Sequence, residues 1–175
     1  VLLAGGKVKK DVYGGYAAGK GKSVKNTITL SGKRNFASID LYGGFSAGNG
    51  DAFTGNRLVA DAFTGKVKGL YNFQHYNFAL PNTLESGGVV IAVQGKTAAN
   101  LDKTNVMIEG MQGGGKSLKP GDVITLIGKV RGKPASFRGS KVKKGISEIY
   151  TFSSKVSGGN LQAVVESVDQ DPKTK

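Results

Sequence analysis

Apolar and polar residues alternate along this chain in short runs, broken every few residues by glycine. In Asn26-Thr27-Ile28-Thr29-Leu30, Ile28 and Leu30 fall on one face and Thr27 and Thr29 on the other. That period of two marks a half-buried strand. Asn56-Arg57-Leu58-Val59-Ala60 is its counterpart one unit later, and Asn72 to Pro81 alternates aromatic and polar residues until the proline stops it. Gly88 to Val93 and Asp122 to Ile127 read as buried strands, and Asn105 to Ile108, Glu148 to Phe152 and Leu161 to Glu166 complete the set. Ser157-Gly158-Gly159-Asn160 joins the last two with the composition of a two-residue hairpin turn. No long amphipathic helix is visible. The pattern predicts an all-β chain.

A repeat organises the first part. Val12-Tyr13-Gly14-Gly15-Tyr16-Ala17-Ala18-Gly19 returns as Leu41-Tyr42-Gly43-Gly44-Phe45-Ser46-Ala47-Gly48, an offset of 29 residues, and the same step again lands on Tyr71, where the glycines are gone. A fixed period of 20–50 residues signals stacked units that bury their apolar faces against neighbours. Tyr13, Tyr42 and Tyr71 are therefore expected to form an inward or edge ladder of rings. Gly6-Lys7, Gly32-Lys33 and Gly65-Lys66 read as the leads of successive units. Residues 1–71 are thus expected to form repetitive β-solenoid coils, and residues 72–175 a β-rich C-terminal cap of the same domain, since terminal units of a stack are atypical.

Composition narrows the chemistry. Glycine fills 28 of 175 positions, more than twice the usual ~7%. With no cysteine, disulfides, thiolate metal sites and thiol nucleophiles are excluded. The net charge is +13, from 21 lysines and 4 arginines against 12 acids. Lysine is a hydrated point charge, whereas arginine is the preferred fork for phosphate and guanine. The excess thus favours loose attraction to anionic glycans or surfaces over specific nucleic-acid reading. Lysines flanking strands also discourage edge-to-edge pairing. No apolar run approaches the ~20 residues of a membrane helix. The chain starts at Val1 in mid-pattern and is expected to be a fragment of something longer.

Gly110-Met111-Gln112-Gly113-Gly114-Gly115-Lys116-Ser117 fits the phosphate-loop pattern, but that motif needs a following helix. Leu118-Lys119-Pro120-Gly121-Asp122 is a turn instead, so the segment is read as a glycine loop. His75 is the single histidine and reads as packed between aromatics. Gly48-Asn49-Gly50-Asp51 has a faint likeness to calcium-binding glycine repeats, and a turn is the better reading. Asp40, Asp51, Asp61 and Asp122 read as turn formers beside strand ends. A polysaccharide-active enzyme with paired carboxylates stays open as a third reading. The densest basic stretch, Lys129, Arg131, Lys133, Arg138, Lys141, Lys143 and Lys144, reads as an exposed loop and is the candidate polyanion-binding site.

Four stretches carry a resemblance: the Tyr-Gly-Gly-aromatic units followed by Asn26 to Gly32; Asn72 to Pro81; Lys119 to Ile127; and Tyr150-Thr151-Phe152 through Leu161 to Lys175. In this order they resemble the C-terminal passenger region of bacterial autotransporters (type V secretion). The resemblance implies a right-handed parallel β-helix displayed at a Gram-negative cell surface, or secreted. Its C-terminal coils would support folding during passage through an outer-membrane β-barrel, and its surface would contact host glycans or proteins. It implies no catalytic residue, no cofactor and no metal. The barrel is absent from this sequence, and +13 is unusual for such passengers.

Overall fold

The computed structural model describes residues 1–171; Pro172 to Lys175, the end of the last resembling stretch, lie outside the described residues. Fourteen strands and no helix are present among them. In chain order the strands are β1 (Leu2–Leu3), β2 (Val12–Tyr13), β3 (Thr27–Tyr42), β4 (Arg57–Tyr71), β5 (His75–Leu80), β6 (Val89–Val93) and β7 (Ala99–Asn100). They continue with β8 (Asn105–Met111), β9 (Val123–Gly128), β10 (Val130–Arg131), β11 (Ser136–Arg138), β12 (Val142–Lys144), β13 (Glu148–Ser157) and β14 (Asn160–Gln170).

Parallel pairing stacks β1 and β2 on β3, β3 on β4, β4 on both β5 and β6, β5 on β8, and β6 on β9. The result is a β-solenoid of about five turns. Register turns the alternation of the sequence into columns that run up the interior. Ile28 lies opposite Leu58, which lies opposite Tyr76 and then Val106. Beside it run Leu30, Ala60, Phe78 and Ile108. All eight are buried, and the small Ala60 makes room for the large Phe78, as interdigitated packing requires. The buried side chains form one cluster from Leu3 to Val165.

Two sequence expectations are corrected. The short strands expected within each unit are single bent strands of 16 and 15 residues. The bend sits at Gly32, φ 79°, and Ala62, φ 50°, where the register slips between Ser31 and Lys33. That slip puts Lys33 opposite Thr64 and Arg34 opposite Gly65, so the Gly-Lys leads do not share a column. A bulge adds residues to one strand only: the offset is 30 at Ile28 and Leu58, 31 at Lys33 and Thr64, and 29 at Tyr42 and Tyr71 after a second irregularity between Phe36 and Asp40.

The stack divides at β4. Its first half pairs with β5 and its second half with β6. The hairpin β13–β14 then joins the two branches, with β13 antiparallel to β12 and β14 antiparallel to β9. Strands β4, β5, β8, β12, β13, β14, β9 and β6 thereby form a closed ring of eight. The hairpin turns at Gly158 and Gly159, φ 58° and 74°, the left-handed pair that a tight two-residue turn needs.

Candidate ligand-binding surface

The tyrosine column lies on the outside. Tyr13 stacks on Tyr42 and Tyr42 on Tyr71, each pair with centroids 4.9 Å apart and planes within 12° and 19°. That spacing is the strand separation itself. A second column, Tyr16 on Phe45 at 5.2 Å, meets the first edge-on, with Tyr13 5.7 Å from Phe45. Tyr13 is 37% exposed and Tyr16 59%, which makes this an edge ladder. Each stack contributes about 0.5–1.5 kcal/mol beyond burial.

The paired glycines let one turn settle onto the next. A Cβ at Gly14 would stand 2.5 Å from the Gly43 carbonyl oxygen, and at Gly43 2.3 Å from that of Asn72. A Cβ at Gly15 would meet the Asn26 side chain at 2.5 Å, and at Gly44 the Ser23 carbonyl oxygen at 2.1 Å. Behind Gly44 sits Asn56, fully buried. Its Nδ2 donates to the carbonyls of Ser23 at 3.0 Å and Ala52 at 2.5 Å, and its Oδ1 accepts from the Asn26 amide at 2.9 Å. In the third unit Asn72, φ 63°, leads almost directly into β5. The loop that needed the glycines is missing there, and so are the glycines.

Of the four aspartates expected at turns, Asp51 and Asp122 are turn formers, whereas Asp40 lies within β3 and Asp61 within β4, opposite Ala79. Asp51 accepts from the amides of Phe53 at 2.9 Å and Thr54 at 3.1 Å. Bonds from Thr54 and Phe53 hold its carboxyl down at about 2, so Asp51 opens a turn to Thr54, and Asn49, φ 64°, turns the chain just before it. Asp122 likewise accepts from the Lys119 amide at 2.7 Å. Asp40 departs from expectation: it lies within β3, and its amide donates to Asp11 Oδ1 at 3.0 Å. Burial raises the Asp40 carboxyl above its usual range, the Asp11 charge adds to this, and Lys68 at 3.9 Å opposes it. Asp40 lines a hollow of about 440 Å³ with Lys68, Tyr71, Gln94, Lys96 and Thr97. Asp11 and Asp40 stand 29 residues apart, so the ladder offset itself would have found this pair.

The candidate basic stretch is neither one loop nor one patch. It contains β10, β11 and β12. Lys129 donates from Nζ to the Gly95 carbonyl at one corner. Arg131 lines a small depression with Asp102 and Tyr71. Arg138 lies on β11, opposite Met107 of β8. Lys133, Lys141 and Lys143 are exposed. Lys144 must be removed from the set: it is 4% exposed, and its Nζ donates to the Lys116 carbonyl at 2.9 Å. In a strand, Lys144 shares the inward face of Val142.

Gly110 and Met111 of the expected glycine loop instead end β8, and the remaining loop, 112–117, leads to β9 with no helix between. It is tied down by the Asn82 Nδ2 bond to the Gly113 carbonyl at 2.9 Å and by the Lys116–Glu85 ion pair. His75 sits on β5, 3.4 Å from Asn105 Nδ2, and partial burial and the Arg57 charge lower its pKa.

A further depression involves residues that the sequence did not single out. It holds about 560 Å³ between Lys33, Arg34, Asn35, Thr64, Gly65, Lys66, Val89 and Ala92. An adjoining hollow of about 400 Å³ shares Lys33, Thr64 and Val89 and continues to Thr83, Leu84 and Glu85, whose carboxylate is paired with Lys116. Arg34 is anchored by an Nη2 bond to the Ala4 carbonyl, and its Nε is buried without an acceptor. No protein-family model, curated protein or solved structure matches this chain.

Proposed function

We propose that this chain is a surface-displayed or secreted passenger segment of the bacterial autotransporter kind. In this reading it is a right-handed parallel β-helix with a C-terminal cap, it performs no catalysis, and it supports folding during secretion and contact with a host surface. Its partners are its own outer-membrane β-barrel and host glycans or proteins. The observation that carries the reading is the asymmetry of the stack. The hairpin β13–β14 closes the strand ring at one end, whereas β1 and β2 pair with β3 alone among the described residues. A stack closed at its C-terminal end can grow by adding turns one at a time, each needing contact only with its neighbour. That is the order in which a chain arriving C-terminus first would need to fold.

The test is display. Fused ahead of an outer-membrane barrel in a Gram-negative host, residues 1–175 are expected to reach the surface and become accessible to external protease. Deletion of residues 148–170 is expected to reduce surface display at least fivefold. Equal display with and without the hairpin would contradict the proposal.

A further inference from the structure

We propose that the groove between Lys33, Arg34, Thr64, Lys66 and Val89 is a binding site for an acidic saccharide chain, one bearing carboxylate or sulfate groups. This deepens the host-contact part of the function proposed above by naming the ligand class and the site. Charge complementarity carries the argument. Three cations line the depression and no carboxylate does. None of the three forms an ion pair among the described residues. Arg34 is the anchored member. Its bond to the Ala4 carbonyl fixes the guanidinium. A fixed guanidinium is the preferred partner for planar carboxylate and for sulfate-like oxyanions. Lys33 and Lys66 are exposed on adjacent strands, two residues out of register, so they present two separated charges to acidic groups of one chain.

The walls suit sugar rather than other polyanions. Val89 and Ala92 give an apolar side against which the C–H face of a pyranose can rest, and Asn35 and Thr64 supply hydroxyl and amide partners. No aromatic ring lines the groove, so it lacks the stacking platform by which single-stranded nucleic acids are held. The volume of about 560 Å³ falls in the range of small-ligand sites.

The probe is a sulfated, uronate-containing hexasaccharide, titrated calorimetrically against the intact chain at low and moderate salt, with a neutral hexasaccharide of equal length beside it. Binding of the acidic probe alone is expected, with affinity falling steeply as salt rises. Lys66→Glu is expected to weaken it at least tenfold. Arg34→Gln should weaken it and flatten the salt dependence by about one ion. Lys141→Glu with Lys143→Glu should change it less than twofold. Lys66→Gln, checked for an unchanged thermal midpoint, separates charge loss from misfolding and should weaken binding about threefold or more. The site assignment is overturned if the acidic probe does not bind at low salt, if Lys66→Glu leaves affinity unchanged, or if the Lys141/Lys143 pair matters as much. Equal binding of a polyglutamate peptide of the same charge would overturn the saccharide assignment. Because the probe binds the isolated chain, a failure here leaves the display result standing, and the reverse holds too.

Discussion

Asn56→Ala is expected to destabilise the protein by about 2–4 kcal/mol, a size set by the buried groups it strands. The amide side chain ties together two turns and the loop between them. It donates to the carbonyls of Ser23 and Ala52 and accepts from the amide and side chain of Asn26. Alanine leaves those partners in a site from which water is excluded, at roughly 1–3 kcal/mol for each group left unsatisfied, partly recovered by relaxation. The loss should also loosen residues 43–56 and tilt the tyrosine ladder beside them. Urea unfolding with near-ultraviolet dichroism reads both, and the tyrosine signal should weaken even where the fold persists. Asn56→Asp keeps an acceptor for Asn26 but sets a carboxylate oxygen against two carbonyls, so it too should destabilise. A midpoint unchanged by both variants would contradict the buried role.

Tyr150→Ala is expected to cost about 3–5 kcal/mol, the range for removing a large buried ring. Tyr150 is fully buried, stacks on Phe152 at 5.9 Å, and donates its hydroxyl to the Leu118 carbonyl at 3.2 Å. It holds β13 against β12, opposite Val142, and so holds the ring shut. Its removal should raise binding of a hydrophobic dye as the edges of β12 and β9 come open. Tyr150→Phe keeps the ring and loses one bond, for about 1 kcal/mol. Thermal unfolding separates the three proteins: the alanine variant should melt well below the others, and coincident midpoints for Ala and Phe would place the contribution in the hydroxyl instead.

The parts of this fold that were legible in the sequence share one physical basis. Alternation fixes which side chains point inward, and a constant offset fixes what lies above what. Ile28 and Leu30, the tyrosine ladder and the Gly158-Gly159 turn all follow from these two rules. Asp11 beside Asp40 follows as well, because the two share the ladder offset. Lys144 is a miss: the run of charge reads as an exposed loop, whereas alternation within β12 buries Lys144 on the side of Val142. The acidic-saccharide groove does not follow. It brings Lys33 and Arg34 together with Lys66 across a register slip, and a bulge of one residue leaves no mark in a repeat read at constant period. The closed ring was equally hidden. The β12–β13 and β14–β9 pairings join residues distant in the chain, and antiparallel partners carry no repeat to announce them.

The chain is expected to fold from its closed C-terminal end toward its N-terminus. Pulse-labelled hydrogen exchange during refolding, read by mass spectrometry of peptides, tests this most directly. Amides of β9, β13 and β14 are expected to gain protection first, those of β4 next, and those of β1 to β3 last. Early protection of β3 and β4 while β13 and β14 still exchange freely would contradict it.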